Sequence, residues 1–355
     1  LGDMIRSLDT RYSTTRLNSD RRPTITVTSS DKYKRKLFQK ECKNAGGLRT
    51  EGHYKHSYEK VNNDWCIVDE SDNVKEKVVF EKPIEKYNTL PLITVITVVY
   101  NCEKLIEDTI LSVINQSYPN VEYIVIDGGS NDGTVDIIKK YGDYIDYWIS
   151  EKDSGIYDAM NKGTVLAGGS WLNYMNAGDN FFENTTIEKL KLAKHEQDIV
   201  CGNIYVVDHL ANSSAVYKPI DWSIKSFYTS MPVFHQGLFA NVKAFKTVGL
   251  YDESFRYSGD YEWLTRLYLS GGTSFYYDIN VANFLADGAS FDYYNKIENL
   301  KLARKYFPPF QVFRRYIILI SSLVRIFVLK KIVNKKLHGI YRRKKYAKNI
   351  GKYIR

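Results

Sequence analysis

The sequence predicts an α/β fold: a mostly parallel central sheet with helices on both faces, extended by a helical C-terminal tail. Three observations carry that expectation. LITVITVVY at 92–100 and VEYIVID at 121–127 are continuous β-branched runs, the pattern of strands buried on both faces. Each is followed by a stretch of helical periodicity, and parallel strands need such crossover connections. Polar loops rich in glycine and aspartate then follow the strands, where ligands gather in folds of this kind.

Taken in order, residues 1–88 are polar and weakly periodic, with charged clusters such as DKYKRKLFQK and ESDNVKEK, and they are expected to form a poorly ordered extension. Within it GGLRTEGHYKHSYEK at 46–60 is distinctive, but no chemistry follows from it. The character changes at Pro91, so the main domain is placed at 89–292. After the first strand comes the helical pattern EKLIEDTILSVINQ; after the second, the loop GGSNDG and the helix TVDIIKKYG. The alternation continues with the strand DYWIS, the helix IYDAMNKGTVLA, the strand SWLNYMN, the helix TTIEKLKLAKH and the strand DIVCGNIYVV. A further amphipathic helix starts near Asp260, with Trp263, Leu264, Leu267 and Tyr268 as its apolar face. Residues 293–355 form the tail.

Of 355 residues 44% are hydrophobic, enough for a proper core. The net charge of +9 belongs to the tail: 301–355 holds 17 of the 50 Lys and Arg and no acid, leaving 33 basic against 41 acidic residues elsewhere. That asymmetry weakens a nucleic-acid reading of the whole chain and suits an anionic membrane surface. FRRYIILISSLVRIFVLKK at 313–331 is too short and interrupted to span a bilayer comfortably, since spanning takes about 20 apolar residues. On a helix Arg314, Arg315, Ser321, Ser322 and Arg325 share one face. The expectation is a helix lying in the membrane interface, followed by the lipid-attracted KKIVNKK and RRKKYAK; a helix packed on the body or a nucleic-acid arm are the alternatives. The four scattered cysteines form no CxxC pair, and the first residues lack a signal-peptide pattern, so a reducing cytosol is expected, without zinc, disulfides or export.

Four loops carry carboxylates that chemistry could use. In IDGGSNDGT, Asp127 could accept hydrogen bonds from a base or ribose, or simply shape a turn. Asp153 and Ser154 precede a helix and could be its N-cap. In Asn176-Ala177-Gly178-Asp179 a strand ends on one aspartate, which can suffice for a hard cation when a diphosphate supplies further oxygens; a polar turn is the plain alternative. Asp260 and Glu262 lie in a first helical turn, where the helix dipole favours acids whatever their function, yet a carboxylate there is well placed as a general base. His235 and Gln236 sit in the apolar setting PVFHQGLF.

Together, ITVVYN, VEYIVIDGGSNDGT, EKDSGIYDAMNKG, WLNYMNAGD, HQGLF, GLYDESFRYSGDYEWLTRL and VANFLADGAS resemble, in that order over about 92–292, the inverting family 2 glycosyltransferases, in particular the bacterial branch that builds capsule, O-antigen and exopolysaccharide sugars. The resemblance implies the GT-A fold. It also implies transfer of a sugar with inversion from a nucleoside-diphosphate donor, UDP first among them, to a hydroxyl of a polyprenyl-linked or saccharide acceptor. The enzyme would then work as a peripheral protein on the cytoplasmic face of the inner membrane, held through 313–355. Carried over by position, Thr97, Val99, Asn101, Asp127, Asp153 and Asn176 fall in the nucleotide-sugar site, Asp179 is the ligand of Mg2+ or Mn2+, and Asp260 is the catalytic base. Glu262 and His235 stand in supporting positions. The sequence departs from the pattern at Asn176 and Gly178, where many relatives carry carboxylates, and at Gly259, where an acid is common. A nucleotide-sugar-binding protein without turnover is the rival reading; nucleic acid is not expected as a partner.

Overall fold

The computed structural model describes residues 3–5, 11–22, 44–68, 76–208, 213–285 and 293–332, the side chains of 3–5, 208, 213, 293 and 322–332 excepted. The N-terminal region differs from its expectation. Strands β1 (Asp3–Ile5), β3 (Ser57–Val61), β4 (Asp64–Val68), β5 (Glu76–Phe80) and β6 (Thr89–Leu90) form a small sheet in the order β1-β5-β4-β3-β6, while β2 (Ala45–Gly46) pairs with the edge of the main sheet. β3 and β4 are joined by a two-residue hairpin whose Asn62 and Asn63 both take positive φ, 51° and 67°, the geometry that matches strand twist. Among its described residues Tyr58, Ile67, Val78 and Leu90 join the core from this sheet, about one residue per strand, too thin a hydrophobic signal for periodicity to register.

The main sheet follows the predicted alternation. β7 (Ile93–Val99), α1 (Ile106–Ile114), β8 (Val121–Asp127), α2 (Thr134–Lys140), β9 (Tyr147–Ser150), α3 (Ile156–Leu166) and β10 (Trp171–Tyr174) give four parallel strands in the order β10-β7-β8-β9. Beyond β10 the chain adds β11 (Asn180–Phe181), α4 (Thr186–Lys189), β12 (Ile199–Asp208), β13 (Ser213–Tyr217), α5 (Ile224–Thr229), β14 (Leu238–Asn241), α6 (Val242–Val248), α7 (Gly259–Leu269) and β15 (Ser274–Leu285). These strands extend the sheet through β14, β12, β15 and β11, with β14 antiparallel to β10 and to β12. The parallel strands are buried on both faces as expected: Ile93, Val95 and Val99 of β7 pack under α1, and Ile96 and Val98 pack under α3 and α7. The helix expected at 185–195 stops after α4, because Lys191 turns left-handed at φ 47° and so lets both Leu190 and Leu192 reach the core.

α8 (Tyr293–Tyr306) and α9 (Pro309–Ile332) close the described chain. α9 turns Val312, Arg315 and Leu319 toward the body and leaves Phe310, Phe313, Tyr316, Ile317 and Ile320 exposed, Phe310 by 73% and Phe313 by 63%. The expected polar stripe is therefore split, since Arg314 faces out while Arg315 is buried; the side chains of Ser322 and Arg325 lie outside the described residues. Among the described residues no helix is long and apolar enough to cross a membrane.

Candidate active site

The carboxyl ends of β8, β9 and β10 place their loops on one edge of the sheet, and α7 and the turn at 235–237 come up beside them. In the first loop Asp127 is fully buried and its oxygens are filled: the Gly129 and Ser130 amides (3.0 and 2.9 Å), the Ser130 hydroxyl and the Ser150 hydroxyl (2.6 Å) all donate to it. Asp127 thus organises the loop, the turn role that the sequence left open. Thr97 is buried too, donating to the Met175 carbonyl at 2.7 Å, and Val99 is nearly closed off, so both lie beneath the edge. Asn101 does stand at the surface. It holds a left-handed φ of 48°, and its side-chain oxygen accepts from the Asn131 amide at 2.9 Å, which binds two loops together.

Asp153 accepts from the Gly155 amide at 2.9 Å, and burial raises its pKa above the ordinary carboxylate value. A Cβ at Gly128 would stand 2.5 Å from Asp153 Oδ2, so glycine is what lets the two loops approach. In the third loop Gly178 adopts φ 99°, and Thr109 of α1 grips the turn by accepting from the Gly178 amide and donating to the Asp179 carbonyl. Asp179 is thereby driven inward, where Gln236 Nε2 donates to Oδ2 at 2.8 Å and the Leu285 amide to Oδ1 at 3.3 Å. Burial pushes its pKa up to about 6, only partly opposed by Gln236.

His235 and Gln236 link this aspartate to the next. His235 Nδ1 lies 3.0 Å from Asp260 Oδ2 and its Nε2 lies 3.0 Å from Asn176 Nδ2. A neutral imidazole satisfies both contacts, donating from Nδ1 and accepting at Nε2. Tyr157 donates to Asp260 Oδ1 at 3.1 Å, and the Tyr261 amide adds 2.8 Å. The ring of Tyr157 also accounts for Gly259: a Cβ there would stand 2.7–2.8 Å from three of its carbons. Tyr157 thus occupies the space an acid at position 259 would need. Sequence reasoning missed it because its motif, IYDAMNKG, reads as an ordinary amphipathic helix start.

Glu262 is not brought to the site. It is fully buried on another side of α7, held by Arg266 Nε (2.9 and 3.0 Å), Lys305 (3.2 Å) and the Tyr306 hydroxyl, and it ties α7 to α8. A cleft of about 400 Å³ opens in front of Asp260, lined by His235 and Gln236 on one side and by residues of α8 and α9 on the other.

Among the described residues no three His, Cys, Asp or Glu cluster as a metal site would. Asn176 Oδ1 and Gln236 Oε1, however, are buried without a hydrogen-bond partner among the described residues, and their side chains border Asp179 and His235. One carboxylate and two amide oxygens are hard donors of low charge, a set that fits a cation whose remaining ligands come from a diphosphate.

Residues 94–247 match the family model for glycosyl transferase family 2. An uncharacterised glycosyltransferase of Mycobacterium tuberculosis is 32% identical over 181 residues, covering 50% of this chain and 68% of that protein. The chain belongs to glycosyl transferase family 2. A second relative of this glycosyltransferase, a PGL/p-HBAD biosynthesis glycosyltransferase of Mycobacterium bovis, is 26% identical over 50% of the chain and 70% of its own length. The crystal structure of S. aureus TarS 1-349 superposes with a TM-score of 0.50 at 17% identity, over 71% of this chain and 78% of that one. That likeness concerns the fold alone. Against a longer TarS structure the match covers only 43% of the TarS chain.

Proposed function

We propose that this glycosyltransferase moves a sugar from a nucleoside-diphosphate donor, expected to be a UDP-sugar, to a hydroxyl of a lipid-linked or saccharide acceptor, with inversion at the anomeric carbon. The observation that carries this reading is the pair of hydrogen bonds from the adjacent residues His235 and Gln236, one to Asp260, which lines the cleft, and the other to the buried Asp179. Asp260 takes the acceptor's hydroxyl proton as that oxygen forms its bond to the anomeric carbon, and the bond from that carbon to the diphosphate oxygen breaks on the opposite face. Tyr157, His235 and the Tyr261 amide fix the carboxylate, so its reacting oxygen does not wander. Asp179, Asn176 and Gln236 would hold Mg2+ or Mn2+, which offsets charge on the departing diphosphate. Asn101 and Asp153 flank the place expected for the nucleoside.

The exposed apolar residues of α9 and the basic 301–355 segment support an anionic membrane surface as the place of work; its cytoplasmic side and a part in surface polysaccharide synthesis belong to the same proposal and rest on the resemblance alone. The deciding assay presents a panel of nucleotide sugars with Mg2+ or Mn2+ and follows both thermal unfolding and nucleotide release. One donor should stabilise the protein and be turned over; binding without any turnover would favour the rival, a nucleotide-sugar-binding protein.

A further inference from the structure

The inward stripe of α9 contains one charge. Val312 and Leu319 flank Arg315, a residue only 9% exposed, whose guanidinium lines the cleft that Asp260 faces. Its Nη2 donates to the Tyr261 hydroxyl at 2.8 Å and its planar group lies 5.7 Å from the Tyr261 ring centre; both are neutral partners. Its Nε is buried without an acceptor, and among the described residues no carboxylate pairs with it. The cost of such an arrangement is large, because a buried cation without a counter-charge loses its hydration for no Coulombic return. Arg49, whose side chain is 9% exposed, by contrast has Glu122 against it.

The cleft around it is poor in carboxylates. Among the described residues lining it, Asp260 is the single carboxylate, and the lining lysine Lys218 is paired with Asp278 at 2.9 Å. Asn295 and Asn299 of α8 bring amide groups to the same wall. A volume of about 400 Å³ admits a ligand of sugar-phosphate size. We propose that Arg315 is the anchor of an anion subsite for the acceptor: the acceptor carries a phosphate group, which the guanidinium binds while the hydroxyl to be glycosylated reaches Asp260. This rests on the transfer reading above. A planar fork is the group suited to phosphate oxygens, and its place on α9 ties acceptor binding to the helix that carries the exposed apolar face.

The test titrates inorganic phosphate into the full chain in the presence of saturating UDP, which fills the donor side, and reads binding by calorimetry. The wild type should bind phosphate under these conditions, Arg315→Gln should weaken it at least about tenfold, and Lys191→Gln, far from the cleft, should not. If Arg315→Gln does not fold, Arg315→Lys is the second variant; it keeps the charge, loses the fork, and should still bind several-fold more weakly than wild type. Equal phosphate affinity in wild type and Arg315 variants, or no phosphate binding beside UDP, overturns the subsite. Failure of UDP itself to bind would count against the transfer reading and leave the Arg315 comparison readable. Dodecyl phosphate distinguishes the source. Tighter binding than inorganic phosphate points to a lipid-linked headgroup, equal binding to a soluble phosphate ester, and both require the dependence on Arg315.

Discussion

The four parallel strands end differently at their two edges. At the amino edge buried charges meet their opposites: Lys55 lies 3.1 Å from Asp146 and donates to the Thr14 and Val121 carbonyls, while Glu122 takes Arg49, the Thr94 hydroxyl (2.6 Å) and the Gly168 amide (2.8 Å). At the carboxyl edge Asp127 and Asp179 are buried and Asp260 is part-buried against amides, hydroxyls and one imidazole, with no lysine or arginine among their hydrogen-bond partners in the described residues. The first arrangement is complete as it stands and fastens the N-terminal segment beneath the sheet. The second leaves Asp179 and Asp260 without a lysine or arginine against them among the described residues, and carboxylates held in this way mark where chemistry takes place.

Breaking the complete edge should produce the largest effect on folding. Lys55→Met strands Asp146 in the interior and should cost about 3–5 kcal/mol by denaturant unfolding. Burial already pushes the Asp146 pKa up to about 6, against the attraction of Lys55. The native state therefore holds that proton more tightly than the unfolded chain, and this contribution to stability is lost as pH rises from about 4 to about 6. Without Lys55 the pKa climbs further, so the variant should lose more stability at pH 7 than at pH 5. A loss independent of pH would show that the pair is not what matters there.

The incomplete edge should respond the opposite way. Asp179→Asn should lower transfer about 10²–10³-fold and remove its dependence on added Mg2+ or Mn2+, yet raise the melting temperature at pH 7. A carboxylate whose pKa is pushed up to about 6 burdens the neutral-pH fold, by at most about 3 kcal/mol. A variant both inactive and unstable would place Asp179 among the structural charges. Tyr157→Phe is the smallest change: it removes one donor from Asp260, and kcat should fall about tenfold with donor KM unchanged. A rise in donor KM instead would move Tyr157 from the base to the nucleotide.

Much of this was legible in advance, and the parts that were not have physical reasons. The strand bounds of VEYIVID could be read because a doubly buried strand has no polar phase to confuse it. The N-terminal sheet was not legible, since strands such as Ser57–Val61 bury a single tyrosine and are otherwise polar. Within the site, Asp179 and Asp260 could be picked out from their loops, but the direction a side chain faces is set by tertiary contacts. Asp127 and Glu262 are carboxylates like the others until Ser130 and Ser150, or Arg266 and Tyr306, are seen to fill them. Arg315 read as one residue of a polar helical face, and only its contact with Tyr261 turns it toward the cleft.

The central claim is that Asp260 removes a proton at a site whose nucleotide is held elsewhere. The direct measurement compares wild type with Asp260→Asn for nucleotide-sugar binding and for transfer, using the donor selected by thermal stabilisation. Binding should be preserved within error while transfer falls about 10²–10⁴-fold. Unchanged turnover in Asp260→Asn would contradict the account.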